Sequence, residues 1–101
     1  MARIRFDFYN TLTDFYSTMA ARVRKAAPEA LVFFDAPGTD AVIYTTSLAR
    51  PLGDGLVFAP HYYQLAVFGG GMGNEGGVQA GFFKWQQYGE TWNVPVFIGE
   101  F

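Results

Sequence analysis

Three short apolar runs stand out: Leu31–Phe34, closed beyond Asp35 by Ala36-Pro37-Gly38; Leu56–Ala59, closed by Pro60; and Val96–Gly99, which follows Pro95. Runs of this length with no polar alternation read as strands buried on both faces, the pattern of a parallel sheet. Each run is followed at once by a group able to do chemistry. Asp35 follows the first, His61 follows the second after Pro60, and Glu100 follows the third. In a parallel sheet the C-terminal strand ends share one rim, so an acid, an imidazole and a second acid are expected to converge there. Polar residues also gather at strand ends simply because strands end in water, and for any one of the three that plain reading is the stronger. It weakens when all three are taken together.

The segments between the runs set the layering. Leu12, Phe15, Tyr16, Met19, Ala20 and Val23 recur at helical spacing, and Thr11 with Asp14 has the spacing of a capping box. Arg22, Arg24 and Lys25 complement the dipole of the last turn and read as its solvated end, and Pro28 stops the helix. Before it, Ile4 to Phe8 alternates apolar and charged residues, which predicts a weak strand or an extended arm. Thr39 to Gly55 mixes β-formers with Pro51 and two glycines and reads as a long loop with a single helical turn. Gly69 to Gly77 holds six glycines in nine residues. It has neither the Lys-Ser/Thr ending of a P-loop nor dinucleotide-fold spacing, so it reads as a surface loop. Val78, Phe82, Trp85 and Trp92 then mark a second helix. Helix-length crossovers between buried strands predict right-handed, parallel pairing. The fold class this gives is α/β, a segment of a (β/α) layer structure with parallel strands, in a single domain over residues 1–101.

Composition narrows the partners. Hydrophobic residues make up 50% of the chain and aromatics 19%, while charged residues are 16% against a usual ~25%. Too few charges remain to cover a small sphere, and three strands cannot close a barrel, so self-association into a homo-oligomer is expected. A net charge of −2 leaves no basic patch for nucleic acid. With no cysteine and one histidine there is no thiol chemistry and no histidine-rich zinc site. Asp35, His61 and Glu100 form a conceivable two-carboxylate, one-imidazole metal set. Nothing in their spacing selects a metal, and neither metal nor cofactor is expected. No apolar run reaches the ~20 residues needed to span a bilayer. The compartment cannot be read from the chain.

A family resemblance sharpens the chemistry. Leu56-Val57-Phe58-Ala59-Pro60-His61-Tyr62-Tyr63 and, some thirty residues later, Trp92-Asn93-Val94-Pro95-Val96-Phe97-Ile98-Gly99-Glu100-Phe101 closely resemble the sixth and seventh strands of glycoside hydrolase family five. That family comprises (β/α)8 barrels and includes cellulases and endoglycoceramidases, so the resemblance implies a partial (β/α)8 barrel with parallel strands, from about the fourth helix to the seventh strand. The match is nearest the endoglycoceramidase-like branch, whose fourth helix and fifth strand also resemble Leu12 to Ala26 and Leu31 to Asp35. The resemblance implies retaining hydrolysis of β-glycosidic bonds in an oligosaccharide or glycolipid, with Glu100 as nucleophile. His61 and Tyr63 match the pair that lines the subsite and orients that carboxylate, and Asp35 is assigned to substrate binding. The family's acid/base glutamate belongs to an Asn-Glu-Pro triplet that this chain lacks; Asn74-Glu75 is followed by Gly76. A chain that stops one residue after its nucleophile is expected to be a piece of a larger protein with impaired activity. The alternative is a non-catalytic fragment or self-assembling module that at most binds sugar through Tyr62, Tyr63 and Trp85.

Overall fold

The structure is a computed structural model that describes residues 2–64 and 75–101. Helix α1 (Ala2–Ala26) leads to strand β1 (Val32–Phe34), a 3-10 turn (Gly38–Val42), strand β2 (Leu56–Phe58) and helix α2 (Glu75–Trp92). Strands β1 and β2 pair in parallel, with Val32 opposite Leu56 and Phe34 opposite Phe58.

The expected partial barrel does not form. Among the described residues the chain holds one two-stranded parallel sheet and two α-helices, too little to be an arc of a fold that needs roughly 250 residues. The third run, Val96–Gly99, is not a strand. It touches β2 through one isolated parallel bridge, Phe58 to Val96, and a second, His61 to Glu100, joins the residues just past each. Proline explains the break. Phe58 donates to Pro95 O, Phe97 to Phe58 O and Gly99 to Pro60 O, at 2.8–3.0 Å. The rung between the last two needs an N–H from residue 60 toward Phe97 O, and Pro60 has none; Tyr62 N–H then reaches past Gly99 to Glu100 O at 2.8 Å.

Burial also departs from the expectation of strands covered on both faces. Only β2, between β1 and the terminal run, is buried at every position. Leu31, Phe33 and Phe97 are 62%, 52% and 57% exposed. The rings of Phe33 and Phe97 meet edge-to-face at 5.7 Å on the uncovered side.

The covered side packs aromatic on aromatic. Phe58 and Trp85 are fully buried, and around Phe58 stand Phe34 at 5.3 Å, Trp92 at 5.0 Å and Trp85 at 5.5 Å between ring centroids. Such tilted and edge-to-face pairs add ~0.5–1.5 kcal/mol each beyond the area they bury. Helix α2 closes this core through two buried glycines. A Cβ at Gly81 would fall 2.4 Å from the Tyr62 ring, and one at Gly89 would fall 2.3 Å from Val96 Cγ2. The helix ends in a Schellman motif: Val94 N–H donates to Gly89 O and Asn93 N–H to Glu90 O, with Asn93 at φ 55.

Helix α1 runs ten residues further toward the N-terminus than its capping-box spacing suggests, and it replaces the extended arm expected at Ile4–Phe8. Thr11 and Asp14 therefore lie exposed in mid-helix and cap nothing. Tyr9 accounts for the extension. It lies three residues before Leu12 on the inward stripe and is buried, whereas Phe15 and Met19 face outward. Tyr9 donates its hydroxyl to both carboxylate oxygens of buried Asp40 at 2.9 Å, and Tyr16 donates to Asp35 O at 2.8 Å. Arg24 is not solvated as expected. Its guanidinium donates to the carbonyls of Pro28, Ala30 and Asp54, tying the helix end to both strand entrances. Of the expected glycine-rich loop, residues 69–74 lie outside the described residues, and Glu75, Gly76 and Gly77 open α2. No helix among the described residues is long and apolar enough to cross a membrane.

Candidate functional site

The parallel bridge between His61 and Glu100 sets their side chains next to each other on one face, since bridged residues on parallel strands point the same way. Continuing the β1–β2 register places Asp35 opposite Ala59, one side-chain period before His61 and so on that same face. Tyr63, two residues past His61, completes the row. All four predicted site residues are thus brought to one edge.

His61 is the centre of the row. Its Nε2 lies 3.4 Å from Asp35 Oδ2 and its Nδ1 lies 3.1 Å from Glu100 Oε2. The Tyr63 hydroxyl donates a short hydrogen bond to the same Glu100 Oε2. The Tyr63 donor and the adjacent His61 Nδ1 both sit on one carboxylate oxygen, and Oε1 accepts no hydrogen bond among the described residues. A cationic imidazole donates to both carboxylates, whereas a neutral one can donate to only one. The side chains of Asp35, His61 and Glu100 are each more than a third exposed, so these contacts orient groups and contribute ~0–1 kcal/mol to stability.

The glycine at position 99 makes room for this arrangement. A Cβ there would press to 3.2 Å from Ala59 O and 3.5 Å from His61 Cδ2. Tyr63 is anchored by its backbone, its N–H donating to Ala41 O at 3.1 Å and its carbonyl accepting from the Tyr44 hydroxyl at 2.8 Å. Tyr44 reaches it from a left-handed backbone, φ 57, and stacks flat on Tyr62 with ring centroids 5.0 Å apart. A non-glycine residue in that conformation costs ~1–3 kcal/mol, strain the hydroxyl contact and the stack help to hold. Sequence pattern alone gave no role to Tyr44; its only trace was a tyrosine in a β-forming stretch that the loop interrupts.

Electrostatics separates the two acids. Burial raises the Asp35 carboxyl above the usual range, against the opposing pull of His61, and one oxygen, Oδ1, is buried without a side-chain hydrogen-bond partner among the described residues. The hydrogen bond to Glu100 raises the Tyr63 phenol, since losing that proton would set two anions together. Burial, aided by the Tyr62 hydroxyl, pushes Tyr44 up to about 12.

A metal fits this set poorly. The imidazole stands between the carboxylates with one nitrogen toward each, so no point is in reach of all three, and among the described residues no group of three or more such side chains could hold a metal ion. Two of the aromatic residues expected to meet sugar are elsewhere engaged. Trp85 is sealed in the core, and Tyr62 is buried with its hydroxyl on Gly77 O. The two larger surface hollows, about 630 and 380 Å³, run along α2 and contain none of the four site residues. Comparison with known proteins returns no match: no family model, no curated protein and no solved structure matches the chain.

Proposed function

We propose that Glu100 is the nucleophile of a β-glycoside hydrolysis that retains anomeric configuration. The observation that carries this reading is the convergence of Tyr63 OH and His61 Nδ1 on Glu100 Oε2. A carboxylate held by one oxygen presents the other to an anomeric carbon. The resemblance of His61-Tyr62-Tyr63 and Ile98-Gly99-Glu100-Phe101 to glycoside hydrolase family five supports the same roles. The substrate class that goes with it is an oligosaccharide or glycolipid.

Retaining hydrolysis also uses a protonated acid roughly 5 Å from the nucleophile. Among the described residues the nearest other acid of the row is Asp35, on the far side of the imidazole, where it holds His61 rather than facing a leaving group. Such a proton donor contributes ~10²- to 10⁴-fold, so hydrolysis by this chain is slow wherever the leaving group needs a proton. The test is release of phenol from aryl β-glucosides and β-cellobiosides, with the product anomer followed by NMR. Slow release with retention, abolished by Glu100→Gln, is expected. Release that survives Glu100→Gln, or inversion, would overturn the reading.

A non-catalytic, self-assembling module is the second reading, and the exposed Phe33–Phe97 pair beside open sheet edges favours it. Self-association is part of both readings; catalysis belongs to the first alone.

A further inference from the structure

Beside Glu100 lies a cleft of about 250 Å³, lined by Tyr62, Tyr63, Gln64, Val78, Phe82 and Phe101. Gln64 is its one aliphatic polar side chain. Its floor is rigid: Tyr62 is pinned by the Tyr44 stack on one side and by Phe82 at 4.7 Å on the other. Tyr63 belongs both to this cleft and to the Glu100 contact, and Phe101 directly follows Glu100, so the cleft adjoins the carboxylate. Phe101 is 88% exposed, an unusual position for phenylalanine.

We infer that this cleft is an aglycone subsite for a single aromatic ring, and that the site takes aryl β-glycosides whose leaving group is a phenol. The inference rests on the glycosidase reading and narrows it. Pockets for drug-sized ligands measure ~300–1,000 Å³, and this cleft, at about 250 Å³, is of a size for one ring and not for a long acyl chain. Its walls offer a flat, apolar group tilted and stacked aromatic contacts and give a hydroxylated sugar almost no hydrogen-bond partners. The leaving-group chemistry agrees with the shape. A phenol, with a pKa of ~10, departs as its anion far more readily than an alcohol, whose hydroxyl resembles that of water at ~16. Among the described residues no second carboxylic acid faces the leaving-group side of Glu100, which matches the site to phenols.

In the first step Glu100 Oε1 bonds to the anomeric carbon as the bond from that carbon to the phenolic oxygen breaks. The phenolate leaves with the electron pair and takes a proton from solvent. In the second step a water oxygen bonds to the anomeric carbon, the ester bond breaks to restore the Glu100 carboxylate, and the water's proton passes to solvent. The sum is glycoside plus water giving sugar plus phenol.

Two measurements test this. The first follows para-fluorophenol by fluorine NMR against the whole chain. Binding to wild type and to Glu100→Gln alike is expected, weakened at least fivefold in Phe82→Ala and in Phe101→Ala, the latter removing a side chain too exposed to matter for folding. The second compares kcat/KM for dinitrophenyl and methyl β-glucosides. An aryl preference of ~10²–10⁴ is expected, with the aryl KM raised at least fivefold by Phe101→Ala. Equal rates for the two glucosides, or fluorophenol binding that ignores both substitutions, would overturn the inference and leave the glycosidase reading standing. No cleavage of either glucoside, with Glu100 unlabelled by a mechanism-based reagent, would remove the reading and the inference together.

Discussion

Tyr63 and Asp35 act on the same histidine–glutamate pair from opposite ends, and their proton affinities are raised for different reasons. For Tyr63 the cause is its hydrogen bond to Glu100. Replacing Glu100 by Gln should therefore shift the Tyr63 phenol to lower pH, visible as an earlier rise of one tyrosinate in an ultraviolet titration. An unmoved titration would mean that the contact is not formed in solution. For Asp35 the cause is burial, so the folded chain holds that proton more tightly than the unfolded one. Stability from this group is full below the ordinary carboxylate value of 3.8 and is lost as pH rises through the raised value. The urea midpoint of Asp35→Asn minus that of wild type should accordingly rise from pH 3 to pH 7, and a difference that falls over that interval would contradict it. The residue types and their shared edge were legible in the sequence, because each follows a short apolar run, although only the second run is buried throughout. That His61 stands between the acids was not legible, since it depends on a register that strand-end positions leave open.

At the scale of elements the account rests on close approaches. Gly89 lets α2 lie against Val96, so Gly89→Ala overpacks that contact and should cost ~1–3 kcal/mol despite the better helix propensity of alanine. Urea denaturation measures it, and a neutral or stabilising effect would show that the terminal run is not packed as described. Arg24→Met should cost ~1.5–3 kcal/mol, because it leaves the carbonyls of Pro28, Ala30 and Asp54 without their charged donor. Gly55 enforces the same junction: at φ 67 a Cβ would meet Arg24 Nη2 at 2.4 Å. The second helix and the two strands were readable from apolar spacing. The start of α1 was not, because alternation at Ile4–Phe8 and helical spacing from Tyr9 overlap, and the capping-box spacing of Thr11 and Asp14 marked a false beginning. The failure of the third run to become a strand was signalled by Pro60, whose missing N–H matters only once its partner strand is known.

For the whole molecule the decisive quantity is surface. The chain exposes 6778 Å², against about 5,700 Å² for a compact monomer of 11.2 kDa. Leu31, Phe33 and Phe97 contribute to that excess on one uncovered face. Light scattering at micromolar concentration should therefore give a mass of at least a dimer, lowered by Phe33→Lys with Phe97→Lys; a monodisperse monomer would refute self-association. The sequence carried the low charge and the apolar runs behind this expectation, but it overstated the architecture. Parallel strands with helical connections are shared by barrels and by much smaller sheets, and only the count of strands that pair separates them. The central claim, that Glu100 is a nucleophile aimed by Tyr63 and His61, is tested most directly by intact-mass spectrometry after incubation with a dinitrophenyl deoxyfluoro-β-glucoside. The account predicts one added glycosyl group, mapped to Glu100, absent in Glu100→Gln and slowed in Tyr63→Phe. An unchanged mass in the wild-type chain, or a label on another residue, would contradict it.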